Sequence, residues 1–321
     1  INENRTVAYP IEHSQHEDYQ LDQIASHHLA EWRSSSVDDQ LIALNLLSLK
    51  GVEPKNHLFC HLPNSERRND GRVRDKWLAR YAHTEAGGWW VSGLNPHNGW
   101  QKWDWGRFKP DLPRIDHEKN KPIKYESPPK GDSHVTYFDV PPHIWDKVAK
   151  RYGIKRYRSP LTLRLADKLP PKYSQGYCLT STGQRQSLSD CLRNGVKPAS
   201  FLPQNLQSPP KPHPQSADPY CFWSWVGNHP EIPILLAEGE KKAACLLSLG
   251  FVAIALPGIW MGRGKGKQKN QLHPDLLPMV QPGRKFISLF DNDEQPSTRR
   301  AVHQATLLTG RAIEAAGASC Q

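Results

Sequence analysis

One stretch restricts the folds open to this chain more than any other. Pro233-Ile234-Leu235-Leu236-Ala237 is followed by a helical pattern from Lys241 to Leu249, stopped by Gly250, and then by a second apolar run, Phe251-Val252-Ala253-Ile254-Ala255-Leu256. A third run, Arg284-Lys285-Phe286-Ile287-Ser288-Leu289-Phe290, precedes a helix predicted over Ser297 to Ala316 and stopped by Gly317. Runs that are apolar without alternation have no face to give to water, so the strands they form must be covered on both sides by helices. The expected architecture is α/β, with a parallel sheet at the C-terminal end of the chain.

The rest of the sequence has a different texture. Residues 19 to 51 read as helical, with Leu21, Ile24, His28, Leu29 and Trp32 on one face and a second apolar run, Leu41, Leu44, Leu47 and Leu49, ending at Gly51. From Asn64 to Pro129 basic residues alternate with Trp77, Trp89, Trp90, Trp100, Trp103 and Trp105, with turns at Gly87-Gly88 and Asn98-Gly99, which predicts a mostly β, loop-rich lobe. Pro142 to Tyr152 predicts a short amphipathic helix closed by Gly153, and residues 159 to 175 fit neither period. The Pro-, Ser- and Gln-rich stretch from Asn194 to Tyr220 reads as an extended linker. The expected organisation is a helical region at 1–63, a basic α+β lobe at 64–193, a linker at 194–220 and the parallel-sheet domain at 221–321.

Charge and cysteine usage narrow the function. Lys and Arg number 42 against 32 Asp and Glu, a net charge of +10 that favours a polyanionic partner. No apolar run reaches membrane-spanning length and the first residues carry no signal-peptide pattern, so no membrane partner is expected. Six cysteines without a Cys-x-x-Cys spacing argue against a zinc ribbon and fit a cytoplasmic setting. The start at Ile1 and the stop at Gln321, soon after a helix, suggest a piece of something longer.

Ligands of open parallel sheets sit beyond the carboxyl ends of the strands. Glu238 ends the first predicted strand, and Asp291 and Asp293 end the third. Acids in such places also cap helices. Converging on one sheet edge, however, these carboxylates would repel one another unless a cation joined them, and hard oxygen ligands suit Mg²⁺ or Mn²⁺.

Glu238-Gly239 after an apolar strand, with Asp291-x-Asp293 after a later one, resembles the Toprim fold of bacterial-type primases, topoisomerases and some nucleases. Leu236 to Ala243, together with Trp105-Gly106-Arg107-Phe108-Lys109-Pro110 and Ile123-Lys124-Tyr125-Glu126-Ser127-Pro128, is similar to plasmid and phage replication proteins of the cyanobacterial RepA type, which join a primase-like region to a helicase. The resemblance implies a catalytic, metal-binding set of Glu238, Asp291 and Asp293 on a Toprim-like sheet. It also implies a basic lobe in which Arg107, Lys109 and Lys124 face nucleotide or primer phosphates. The sequence departs from the family at one place. Primases usually carry an aspartate four residues after the strand-end Glu; here that position is Lys242, preceded by Lys241, so the set is one carboxylate short unless Glu240 or Glu294 substitutes.

Lys241, Lys242 and the glycine-interleaved loop Gly262 to Lys269, with Arg263, Lys265 and Lys267, complete the expected phosphate contacts. No Walker A spacing occurs. The tryptophans either stack on single-stranded DNA or, for at least half of them, fill the core. His57 and His61, flanking Cys60, form a trio better read as structural than metal-binding. The leading expectation is a DNA primase that copies a single-stranded DNA template from nucleoside triphosphates beside a helicase in the same or a partner chain. The rival is a non-catalytic module that binds single-stranded or origin DNA for a linked helicase.

Overall fold

The computed structural model describes residues 21–116, 118, 120–156, 177–179, 185–187, 221–291 and 294–321. In chain order the elements begin with α1 (Ser26–Arg33), α2 (Asp39–Asn45), β1 (Leu46–Leu49), α3 (Glu53–Phe59), α4 (Asp75–Arg80), β2 (Gly88–Leu94) and β3 (Lys102–Pro110). Two short hairpins, β4 (Ile115–Asp116) with β5 (Lys121–Pro122) and β6 (Tyr177–Leu179) with β7 (Arg185–Ser187), lie on either side of α5 (Pro142–Tyr152). The C-terminal part runs α6 (Phe222–Gly227), β8 (Ile234–Glu238), α7 (Glu240–Ser248), β9 (Ala253–Leu256), β10 (Lys285–Leu289), α8 (Pro296–Ala316) and β11 (Ser319–Cys320).

The parallel sheet forms as its apolar runs require. Its order is β11-β10-β8-β9, with every pair parallel. Ile234, Leu236, Ala253, Ile254, Ala255 and Leu256 are fully or almost fully buried, each of the isoleucines and leucines contributing about 1.5–3 kcal/mol. Gly317 ends α8 in the left-handed conformation, and Gly153 does the same for α5. The short β11 shows that a strand does follow the last helix within the chain, pairing through Ser319 and Cys320 with the edge of β10.

The N-terminal part corrects one expectation. The apolar run from Leu41 does not stay helical to Gly51: α2 stops at Asn45, and Leu46 to Leu49 become a strand opposite Val91 to Gly88. Asn45 makes the break. Its Nδ2 donates to the carbonyls of Leu41 and Asp139, at 2.8 and 2.9 Å, while its Oδ1 accepts from the Asp139 amide at 2.8 Å. A partner some ninety residues away thus overrides local helix propensity. The resulting antiparallel sheet, β1-β2-β3, takes its first strand from the stretch read as helical and the other two from the basic lobe.

The two sheets are stitched by one extended segment, Val135 to Phe138. Thr136 exchanges both backbone hydrogen bonds with Ala255 at the outer edge of β9, at 2.9 and 3.2 Å, and the Leu94 amide of β2 donates to Tyr137 O at 2.7 Å. Gly93 permits this approach, because a Cβ there would stand 2.3 Å from Tyr137 O. A single apolar core therefore runs from Ile24 and Trp32 through Trp89 and Tyr137 to Ile254 and Ile313. A smaller one lies under α3 and α4, around Phe59, Trp77 and Trp90. The predicted linker 194–220 and residues 159–175 lie outside the described residues.

Arg284, fully buried just before β10, anchors the far end of the parallel sheet. Its Nη1 donates to His229 O at 2.8 Å and also to Ile232 O, and its Nη2 donates to Val226 O at 2.6 Å, tying together the carbonyls of the last turn of α6 and of the loop after it. Burial lowers its pKa to about 10, so it stays charged at neutral pH. Arg284→Met should cost about 3–5 kcal/mol, since the carbonyls lose their donor, and Arg284→Lys should recover little of it, lacking the planar fork. Urea denaturation of the two variants checks this.

Candidate active site at the strand ends

After β8 the chain crosses to β9 on one side, whereas β10 lies on the other side of β8 and leads outward to β11. The crevice between the carboxyl ends of β8 and β10 is thus the switch point of the sheet, where ligands of open α/β folds bind. Leu289 is in register with Ala237, so Glu238 and Asp291 emerge side by side. Burial, reinforced by the charge of Asp291, raises the Glu238 pKa above its ordinary value, although Lys242 and Arg107 oppose this. Asp291 is exposed and ion-paired with Lys242. Asp293 lies outside the described residues.

These observations set the terms for a divalent ion. Glu238 and Asp291 offer hard oxygen ligands at one point, with unfavourable negative charge for an ion to relieve. Lys242 supplies a positive charge beside these acids, but the ion pair is exposed and such pairs are worth about 0–1 kcal/mol, so an incoming cation displaces it cheaply. The residues fit Mg²⁺ or Mn²⁺. Glu240 is not available as a substitute ligand: it is buried, and Arg107 Nη1 grips both its oxygens at 2.9 and 3.0 Å.

Arg107 is therefore committed to the interior rather than facing phosphates. It projects from β3, stacks its guanidinium 4.3 Å from the centroid of Tyr125, and ties the sheet of the basic lobe to the first turn of α7. Gly239, at φ +88°, makes the turn between Glu238 and this helix. Lys109 and Lys241 share Glu31 of α1, with both ammonium groups on Oε1 at 2.6 and 2.7 Å, while Trp89 Nε1 donates to Oε2 at 3.0 Å. Lys109 and Lys124 line one cleft of about 270 Å³ with Glu31, Trp89, Pro110, Asp111 and Pro113. Lys124 is exposed and bonds to no described residue, which leaves it the freest cation there.

The structure thus gathers Lys109, Lys124 and Lys241 about Glu31, and Glu238, Asp291 and Lys242 at the adjoining strand ends. The loop after β9 is held by contacts of its own. Arg263 Nη1 donates to Lys269 O at 2.7 Å with its guanidinium 5.7 Å from the Trp260 ring, and Lys265 Nζ donates to Ser133 Oγ at 3.1 Å. Lys267 lies in a 3-10 turn, Gly266–Gln268. Of the six tryptophans between Asn64 and Pro129 all but Trp103 are buried, which bears out the core reading and leaves few rings there for base stacking. Cys60 Sγ donates to the carbonyl of His57 at 3.0 Å, a local structural contact. A larger cavity, about 650 Å³ between α3 and the 67–73 turn, shares no lining residue with the cleft. Its Arg68 and Arg72 are already paired with Asp75 and Asp70.

Two acids that organise the molecule escaped the sequence reading. Glu31 is a lone charge on a helix, with nothing local to mark it. Asp275 is buried and accepts from His97 Nε2 at 2.9 Å, His134 Nδ1 at 3.0 Å and the Val135 amide at 3.1 Å, pinning the segment that joins the two sheets. Burial favours its neutral form, but the His134 hydrogen bond and the nearby histidine charges outweigh this and hold its pKa low.

Residues 222–321 match the family described as a domain of unknown function, DUF3854. Over 304 residues, 92% of this chain, the sequence is 34% identical to an uncharacterized protein of Picosynechococcus sp. (strain ATCC 27264 / PCC 7002 / PR-6). The chain spans about a quarter of that relative, 24% of its length. No solved structure matches. No helix among the described residues is long and apolar enough to cross a membrane, and Cys60, Cys245 and Cys320 form no disulfide among the described residues.

Two outcomes follow from the ion pairs. Breaking the buried pair by Arg107→Met or Glu240→Met should cost about 3–5 kcal/mol each, while the double variant should recover much of the loss, because no charge is left buried alone. A double-mutant cycle by chemical denaturation measures the coupling. For Glu31, burial raises the pKa but hydrogen bonds from Lys109, Lys241 and Trp89 dominate, bringing it from 4.5 to about 2. A pKa lowered by folding gives stability that is present above the unfolded value and lost as pH falls through the folded one. Glu31→Gln should therefore lower stability at pH 7 by about 1–2 kcal/mol and flatten the acid loss between roughly pH 4.5 and 2, as thermal melts across that range would show.

Proposed function

We propose that this chain is the Toprim-type, primase-like region of a replication protein. In this reading it binds single-stranded DNA and, with Mg²⁺ or Mn²⁺, joins nucleoside triphosphates into a short primer. The observation that carries it is the pairing of Glu238 and Asp291 at the switch point between β8 and β10, beside a cleft holding Lys109 and Lys124. A divalent ion held by Glu238, Asp291 and Asp293 would supply charge stabilisation to a triphosphate and its leaving pyrophosphate. Lys124 and Lys109 would orient phosphates. The proposed companion is a helicase in the same or a partner chain, in a cytoplasmic setting that the free cysteines favour.

The Lys242–Asp291 ion pair favours a second reading, in which the acids are a remnant and the chain is a non-catalytic module that binds single-stranded or origin DNA for a linked helicase. One set of measurements separates the two. If the chain is a primase, Mn²⁺ should raise the melting temperature and labelled oligomers should appear on a single-stranded template. Asp291→Asn should abolish both while leaving salt-sensitive DNA binding intact. Lys242→Asp, restoring the family's acid, should tighten metal binding about tenfold or more. A protein that binds DNA with a steep salt dependence but shows neither a metal shift nor product would establish the second reading.

A further inference from the structure

Helix α1 carries adjacent histidines whose rings reach the same atom. Nε2 of His28 lies 2.9 Å from Oδ1 of Asp111, and Nε2 of His27 lies 3.5 Å from it. The three ligand atoms all fall within 4.8 Å of one another, and among the described residues no other group of three His, Cys, Asp or Glu side chains does so. Two imidazole nitrogens and one carboxylate oxygen are the donor set of Zn²⁺ and neighbouring transition metals; Mg²⁺ prefers oxygen alone.

The support behind His28 matches what a metal-ligating histidine needs. Its Nδ1 sits 2.7 Å from Ser48 Oγ, and the same oxygen accepts the Ala25 amide at 2.8 Å. Without a metal, Nε2–H donates to Asp111 and the Ser48 hydroxyl donates to Nδ1. With a metal on the Nε2 lone pair the proton moves to Nδ1, which donates to Ser48 Oγ, and the hydroxyl hydrogen of the half-buried Ser48 turns away from the ring. Ser48 therefore satisfies both tautomers of a buried ring. His27 makes no hydrogen bond with a described residue, and its side chain is 64% exposed, so it is free to turn onto an ion. Asp111 also lines the cleft of Lys109 and Lys124.

We propose that His27, His28 and Asp111 form a three-ligand site for a divalent transition metal, Zn²⁺ above all. The remaining coordination positions go to water or to an anionic oxygen, such as that of a phosphate, in the adjoining cleft. The site is separate from Glu238 and Asp291 and stands or falls without them.

Co²⁺ is the probe, since its visible absorption reports ligand number and type. Titrated into the chelator-stripped chain, it should give a band saturating at one equivalent, displaced by Zn²⁺ and unmoved by excess Mg²⁺. His27→Ala, at an exposed position that leaves the fold alone, and Asp111→Asn should each weaken Co²⁺ binding by roughly tenfold or more, and Ser48→Ala should weaken it less while altering the band. Asp291→Asn should leave the band unchanged, which separates this site from the strand-end acids. A missing band, or one that persists unaltered in both His27→Ala and Asp111→Asn as a cysteine site would, overturns the proposal.

Discussion

The hydrogen bonds of one short extended segment hold this molecule together. Val135 to Phe138 runs between two sheets, with Thr136 paired to β9 on one side and Tyr137 accepting from β2 on the other. Buried backbone groups must find partners, and here each sheet supplies one for the segment, which in turn covers the β9 edge of the parallel sheet. Trp223 adds its Nε1 at 2.7 Å from Phe138 O, and Tyr137 donates to Asp275 O at 2.6 Å, so the same few residues also set the packing of α6 and of the turn after β9. The relative placement of the basic lobe and the parallel sheet follows from this arrangement.

That placement decides what stands at the strand ends. Because the lobes meet along β3 and the start of α7, the first two residues of that helix are both claimed from the N-terminal side, Glu240 by Arg107 and Lys241 by Glu31. The next residue, Lys242, turns the other way to Asp291. Three consecutive charged side chains, which in sequence look like one hydrophilic run, thus have three separate tasks. Only the last is exposed to a small ion in solvent. From α5, Lys147 and Arg151 reach the carbonyls of Ser248, Leu249 and Gly250 and neutralise the far end of the same helix, so α7 is fixed at both ends by residues from the other lobe.

What could be read from the sequence was whatever is encoded locally. The strands β8, β9 and β10, the helices α5, α7 and α8 and their glycine stops follow from periodicity within a dozen residues, and they appear within a residue or two of expectation. Glu238 and Asp291 were legible because strand ends are where such sheets place chemistry. By contrast, β1 hides in an apolar run that reads equally well as helix until Val91 and Asp139 come into contact with it. The resemblance assigns Arg107 to phosphates, but a charge in a sequence carries no sign of its depth; a buried acid 133 positions later defines its role. Glu31, Asp111 and Asp275 are silent for the same reason: their partners lie on distant segments, and no spacing announces them.

The boundary recorded by sequence families and the unit that folds are different things here. The matched stretch begins at residue 222, yet β9, which lies within it, is completed by Thr136, and the carboxylate of Glu240 is neutralised by an arginine from β3. Cut out alone, residues 222–321 would present an unpaired parallel strand and an orphaned interior charge to water, both invitations to self-association. The matched stretch and the stretch that folds together therefore have different edges, and a stable excised piece has to carry Val135 to Phe138 and β3 with it.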